Sequence, residues 1–201
     1  MTMLRNEAPT RLLPLGLVLL AACGGGGESP RPDFASDVDE CHHNLREIYN
    51  GMRAMKAESG WQPTHGGVGF FGELISSGFW PDTPENRAKL SCPGKNVPAA
   101  EPLSFADLDA LTGAHSAYAG RDLAAFPLER FPTRGTEPLI SCDNAHGMNH
   151  DGVMNVLFAD GSIKTFQLQQ EIAEGRLVEG STVIPVGANS TVDDLRMLTS
   201  D

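Results

Sequence analysis

Between residues 38 and 55 the apolar positions Val38, Cys41, Leu45, Ile48, Met52 and Met55 advance by three, four, three, four and three. That alternation keeps one stripe on one side of a 3.6-residue helix. Ser36 stands ready to cap its start, and Asp37, Asp39 and Glu40 fall in the first turn, where the helix dipole favours negative charge. Arg53 and Lys56 lie near the far end, with Gly60 as the residue that terminates it. The pattern predicts a helix over 37–58 whose stripe packs against a sheet.

The period changes farther on. Val153 to Ala159 and Ser162 to Leu168 are two β-rich runs flanking Asp160-Gly161. An Asp-Gly pair between such runs predicts a type I′ hairpin, with Phe158 opposite Ile163 and Val156 opposite Thr165. Strands are also expected at 116–119 and 138–142, and strand character at 182–186. Short helices are expected at 70–79, 84–90 and 169–174, with a capped turn at 191–198. The stretch 104–111 fits either a helical turn or an extended link. Loops rich in Pro and Gly fill 93–103 and 120–137. The sum is an α+β fold: one amphipathic helix on an antiparallel sheet, with long loops.

The N-terminus has a different pattern. Arg5 and Arg11 precede the apolar run Leu12 to Ala22, which is 11 residues long. As a helix it would reach about 16 Å, against roughly 30 Å of hydrocarbon, which suits a cleavable signal better than a membrane span. The run ends in Leu20-Ala21-Ala22-Cys23, which resembles the bacterial lipobox. The resemblance implies cleavage before Cys23 and acylation of its thiol. Four glycines, 24–27, and Glu28-Ser29-Pro30-Arg31-Pro32 then read as a tether. The expected organisation is a signal peptide over 1–22, a lipidated cysteine and linker over 23–36, a domain over 37–170 and a C-terminal extension over 171–201. Gly24 is not the aspartate associated with inner-membrane retention, so the expected location is the outer membrane, facing the periplasm.

Charge narrows the partners. The chain carries a formal net charge of −11, and loss of Arg5, Glu7 and Arg11 with the signal makes it −12. Such a surface repels nucleic acid and anionic lipid. The expected partners are a membrane, through the lipid, and other envelope proteins, with no nucleic acid.

Three cysteines remain besides Cys23: Cys41, Cys92 and Cys142. Three pairings are possible in an oxidising compartment. Cys92 and Cys142 share similar settings, Leu-Ser-Cys-Pro and Ile-Ser-Cys-Asp, which favours a bridge between them. Cys41, on the helix stripe, reads as a small buried hydrophobe. The concentrated set of candidate ligands is Asp143, His146, His150, Asp151 and Asp160. His146 and His150 with Asp143 or Asp160 would suit zinc, whereas Asp143, Asp151 and Asp160 would suit calcium. The competing reading makes Asp160 a turn residue, His150 a hydrogen-bonding group at the hairpin mouth and His146 an exposed loop residue. The sequence contains no His-Glu-x-x-His and no Gly-x-Ser-x-Gly. No catalytic residue is expected, and no cofactor beyond a divalent metal at the His146/His150 loop.

His150, nine intervening residues and Asp160-Gly161 together resemble the prepilin-type processing-associated domain named for that spacing, and the pseudopilin-like proteins related to it. Cys41-His-His-Asn-Leu, Leu90-Ser-Cys-Pro93, Tyr118-Ala-Gly-Arg121 and Cys142-Asp-Asn144 resemble further segments of that family. The likeness runs over roughly 37–170. It implies a pseudopilin-like fold and a role near secretion or pilus-like assemblies. The family's Gly-Phe-Thr-Leu-Ile-Glu start is replaced here by the lipobox, which disfavours filament building. The expectation is a non-enzymatic, lipid-anchored interaction protein; the alternative is a metal-binding module.

Overall fold

The computed structural model describes residues 35–95, 105–133 and 135–201. The expected signal peptide, Cys23 and the expected linker up to residue 34 therefore lie outside the described residues. The described part is an α+β fold in which an N-terminal helix lies on a five-stranded antiparallel sheet.

Helix α1 spans Asp37–Ser59, with Ser36 Oγ accepting from Asp39 N and Gly60 closing the end at φ 72°. Of the apolar stripe, Cys41, Leu45, Ile48, Met52 and Met55 are buried, joined by Tyr49. Each such side chain contributes about 1.5–3 kcal/mol on burial, so the stripe rather than intrinsic propensity holds α1 in place. Helices α2 (Gly67–Ser76), α3 (Pro84–Lys89) and α4 (Leu168–Ala173) are short, as expected from the pattern. Helix α2 starts and ends three residues earlier than the apolar run suggested, and Gly78 and Trp80 then turn the chain back with backbone bonds to Ile75 and Leu74. Residues Leu108–Ala110 and Asp193–Met197 form 3-10 turns, and 182–186 forms no strand.

Strands β1 (Tyr118–Arg121), β2 (Pro138–Cys142), β3 (Val153–Phe158), β4 (Ile163–Gln167) and β5 (Leu198–Thr199) lie in the order β4-β3-β2-β1-β5. Tyr118 stands opposite Cys142, and Ile140 opposite Leu157, so these side chains share one face. Helix α1 covers that face: Asn155 Nδ2 donates to Val38 O at 3.2 Å, and Tyr49 Oη donates to Ala159 O at 3.2 Å. Ala119, Leu139, Met154, Val156 and Phe158, on the opposite face, are all fully buried too. Residues 171–201 are no separate body. Strand β5 pairs with β1, and the Asp193–Met197 turn packs on β2, so the expected boundary at 170 does not divide the fold.

The β3–β4 hairpin departs from expectation by one residue. Leu157, not Phe158, faces Ile163, and Asn155, not Val156, faces Thr165. Asp160 does not adopt positive φ; Gly161 does, at 85°, and its N–H bonds Phe158 O at 2.9 Å. Phe158 N also donates to Ser162 O at 2.9 Å, giving a three-residue loop with its glycine in the left-handed region. Two forces select it. The Asp160 carboxylate accepts from Ser162 N and Oγ at 2.9 and 2.7 Å. The Tyr49 ring packs so closely that a Cβ on Gly161 would lie 2.4 Å from it. Because side chains alternate, one residue of slip exchanges the two faces of β3.

One buried carboxylate holds the segment between α1 and α2. Glu73 Oε1 accepts from Thr64 N (2.8 Å), Thr64 Oγ1 (3.0 Å), His65 N (2.8 Å) and His65 Nδ1 (2.8 Å), and Trp61 Nε1 bonds Oε2. Burial alone would raise its carboxyl, but the donors from Thr64, His65 and Trp61 prevail and hold it below the ordinary value of 4.5. A folded value below the unfolded one makes this a stabilising contribution that is complete above that value and fades as pH falls through the depressed one. Replacement by Gln is therefore expected to cost about 2 kcal/mol at pH 7. In denaturant unfolding the gap between wild type and E73Q should close as the pH falls below 4.5 and through the depressed value of the folded state. A gap that stays constant into acid would remove the charge from the explanation.

Candidate metal centre

Four separate parts of the chain deliver one side chain each to the same buried point. Cys41 sits one turn into α1, on the stripe that faces the sheet. Cys142 ends β2, directly across from Tyr118 of β1, so both point at α1. Cys92 follows α3 in the run Ser91-Cys92-Pro93-Gly94-Lys95. That run is tied to the start of β1, because Ser116 Oγ donates to Leu90 O at 2.7 Å and Ala117 N to Ser91 Oγ at 3.0 Å. Its other end touches the loop carrying His150: Lys95 N donates to Asn149 O at 2.7 Å. A Cβ on Gly94 would sit 2.3 Å from the same oxygen, so only glycine permits the approach.

Asn149 organises that loop. It is fully buried, its amide donates to Asp143 O at 2.8 Å and Ala117 O at 3.3 Å, and its backbone N–H reaches Asn144 Oδ1 at 3.2 Å. The next residue, His150, is thereby pushed inward with only 1 % of its surface exposed.

Cys41, Cys92, Cys142 and His150 place one donor atom each within 4.8 Å of every other. The Sγ atoms of Cys41 and Cys142 are 3.5 Å apart, those of Cys92 and Cys142 3.6 Å, and those of Cys92 and Cys41 4.0 Å. His150 Nε2 is 3.2 Å from Cys92 Sγ. A zinc ion with sulfur at about 2.3 Å and nitrogen at about 2.0 Å requires tetrahedral edges of about 3.8 Å between sulfurs and about 3.5 Å from sulfur to nitrogen. The three sulfur–sulfur distances and the Cys92–His150 distance lie within about 0.3 Å of those edges, and three thiols with one imidazole are the donor types such an ion favours.

The electrostatics of the bare donors point the same way. Burial raises the Cys41 thiol, yet hydrogen bonds from Cys142, Cys92, His150 and Tyr118 outweigh it and bring it well below its ordinary value. Cys142 is driven well above its ordinary value by donating to Cys41 and Cys92 and by burial. Cys92 gains from Cys142 but is raised on balance by its bond to Cys41, by burial and by the charge there. The three buried sulfurs therefore share protons unequally, and a divalent cation bound among them would take the place of those protons. Tyr118, buried and held neutral, directs its Oη to Cys41 Sγ at 3.5 Å, and the Gly94 N–H acts on Cys92. On its other side His150 Nδ1 lies 3.2 Å from Asp37 Oδ2, without the alignment of a hydrogen bond.

The expected ligands are largely dispersed. Of Asp143, His146, His150 and Asp160, only His150 joins the cluster; Asp160 caps its own turn. Asp143 bonds Ala145 N at 3.1 Å, and His146 is exposed. The oxygen set for calcium does not assemble either, because Asp151 pairs with Lys95 at 2.7 Å. The expected Cys92–Cys142 bridge is absent. All three thiols are free, and 3.6 Å is far beyond the roughly 2.05 Å of a disulfide. What the sequence reading missed is Cys41, set aside as a core residue, and the joining of all three cysteines with His150. Spacings of 50 and 51 residues between cysteines give no local ligand pattern. The usable signal was that each cysteine, and His150, falls in a segment singled out for other reasons.

No protein-family model, no curated protein and no solved structure matches this chain.

Gly94 offers a direct check on how the site is built. Gly94→Ala should cost more than about 1 kcal/mol in denaturant unfolding, since its methyl group meets backbone rather than a yielding side chain. It should also make Cys92 reactive toward a thiol reagent in the folded state. A variant as stable and as unreactive as wild type would show that the Cys92 loop is placed by something else.

Proposed function

We propose that this chain is a lipid-anchored, non-enzymatic protein of the bacterial cell envelope whose α+β head is locked by a closed Cys3His metal centre, with zinc as the ion that fits best. The observation that carries the reading is the convergence of Cys41, Cys92, Cys142 and His150, from α1, the loop after α3, β2 and the loop before β3, with their donor atoms all within 4.8 Å of one another. When bound, the ion supplies positive charge to three thiolates and cross-links the segments that carry them. Four protein donors fill a tetrahedral shell and leave no position for water or substrate, which is the hallmark of structural rather than catalytic zinc. Exposures of 0, 2, 0 and 1 % for Cys41, Cys92, Cys142 and His150 close the site to substrates as well. The reading replaces the His146/His150 loop with a different donor set while keeping His150.

The anchor rests on the segment 12–23 and the glycine-rich stretch after it. Among the described residues no helix is long and apolar enough to cross a membrane. A diacylated cysteine followed by a flexible tether holds an acidic head near a bilayer without threading it. The partners proposed are other envelope proteins, with a pseudopilin-like contact surface as the family likeness of the His150-x9-Asp160-Gly161 segment implies. The location proposed is the periplasmic face of the outer membrane.

Two measurements test these parts separately. Elemental analysis of the full chain, purified in detergent with a reductant, should find one zinc per molecule, and Cys142→Ser should lose it on dialysis against a chelator that leaves wild type loaded. Zinc at a thousandfold excess over its dissociation constant should add about 4 kcal/mol to stability. The affinity should fall as pH drops, because protons compete for the same thiolates. Reduced, folded protein that neither retains nor takes up a transition metal would end the reading.

For the anchor, Cys23→Ser should abolish incorporation of labelled palmitate and move the protein from the membrane to the soluble fraction. Unchanged fractionation would refute it while leaving the metal centre standing.

A further inference from the structure

The side of His150 that faces away from the cysteines carries a second consequence. Its Nε2 is turned toward Cys92, so Nδ1 is the nitrogen that must hold the proton when Nε2 gives its lone pair to a metal. Nδ1 is buried, and no hydrogen bond of proper alignment reaches it. A buried N–H without an acceptor is costly, and metal-bound imidazoles are normally oriented by a carboxylate or carbonyl on the far nitrogen. One carboxylate stands there: Asp37 Oδ2, 3.2 Å from Nδ1. The adjacent Asp151 is turned away to Lys95 Nζ at 2.7 Å.

Asp37 is the first residue of α1, and its position is set by the cap rather than by the imidazole. Ser36 Oγ accepts from Asp39 N at 3.2 Å and donates to Asp39 Oδ2 at 2.9 Å, which occupies Asp39 and leaves the Asp37 carboxylate for His150. The same turn delivers Cys41 four residues later. One helical turn therefore provides both a sulfur donor and the group that steadies the nitrogen donor.

We infer that Asp37 is the positioning residue of the metal centre: its carboxylate stands beside His150 Nδ1 to take a hydrogen bond from that N–H when Nε2 binds the ion, and so holds Nε2 toward the cysteines. This rests on the metal reading above. Asp37 touches no metal itself; it acts through the imidazole.

The test uses the full chain in detergent, with a reductant, as wild type, D37A, D37N and D39N. Zinc affinity is read by competition with a chromophoric chelator, and the ligand field by the visible spectrum of the cobalt(II)-substituted protein. D37A is expected to bind zinc 10–100-fold more weakly than wild type and to shift the cobalt d–d bands. D39N removes an equal charge from the same helical turn while keeping an acceptor oxygen for Ser36 Oγ, and should change affinity less than twofold and leave the bands in place. If D37A does not fold, D37N, which keeps the shape and loses the charge, decides: a loss of threefold or more against D39N supports the assignment. A smaller loss, with bands matching D39N, overturns it. Wild type that binds neither zinc nor cobalt overturns the metal centre instead, an outcome distinct from a silent Asp37.

Discussion

The constraint on which the rest of this fold depends is that four polar donors, far apart in sequence, must share one dry point. Cys41 and Cys92 are separated by 51 residues and Cys92 and Cys142 by 50, so bringing them together closes two long loops. Loop closure of that length costs conformational entropy that grows only slowly with length, and a cross-link lowers that cost by restricting the unfolded chain. The regular structure available to offset this cost is modest. Strand β5 has two residues and α3 and α4 have six each. An ion held by these donors on the sheet's helix-covered face would do for this domain what disulfides do for small exported domains. The hydrophobic stripe of α1 brings Cys41 to the sheet, and the donors then fix where along the sheet it stops.

The supporting contacts converge on the same point from outside. Tyr118 is both the cross-strand neighbour of Cys142 and the hydroxyl facing Cys41, so β1 reaches α1 through the cluster. The ring of Phe71 meets that of Tyr118 edge-on at 6.1 Å, which brings α2 against the same tyrosine. Asn149 links the ends of β2 and the 143–150 loop to the backbone that carries Cys92. None of these residues would coordinate an ion, yet each removes one way for a donor to move. A tetrahedral site is only as selective as the rigidity that keeps its edges at the right length.

Much of the fold was legible in the sequence because its signals are local. The three-four alternation located α1 to within one residue, and 138–142 emerged as β2 because a short apolar run stands between proline and a polar loop. The hairpin was legible in kind but not in register. Asp-Gly announces a turn, but whether the loop has two residues or three depends on Tyr49, which is 112 positions away from Gly161 in the chain. The centre was the least legible feature, for the same reason at greater distance. A cysteine on a helix stripe looks like any small apolar residue until the sheet beneath it presents two more sulfurs. His150 was found by its spacing to Asp160, but the spacing reports the hairpin, and the partners that matter lie on other elements. The segments around Cys41, Cys92, Cys142 and His150, far apart in the chain, supply one donor apiece. Fragments that unite in space into one chemical group make a stronger argument than any of them alone.

The three sulfurs also set a chemical condition on where the chain can mature. In an oxidising compartment, thiols 3.5–4.0 Å apart are close enough for any pair to oxidise with little motion. A bridge would draw two sulfurs to about 2.05 Å, collapse one edge of the tetrahedron and leave the third thiol with an imidazole and no cation. Burial slows this, since an oxidant must reach side chains that are at most 2 % exposed, but burial exists only after folding. During folding the thiols are open, and thiolates engaged by a metal are poor nucleophiles toward oxidants compared with free ones. If the chain is exported and binds the proposed ion, metal capture would compete with disulfide formation while the thiols are still open.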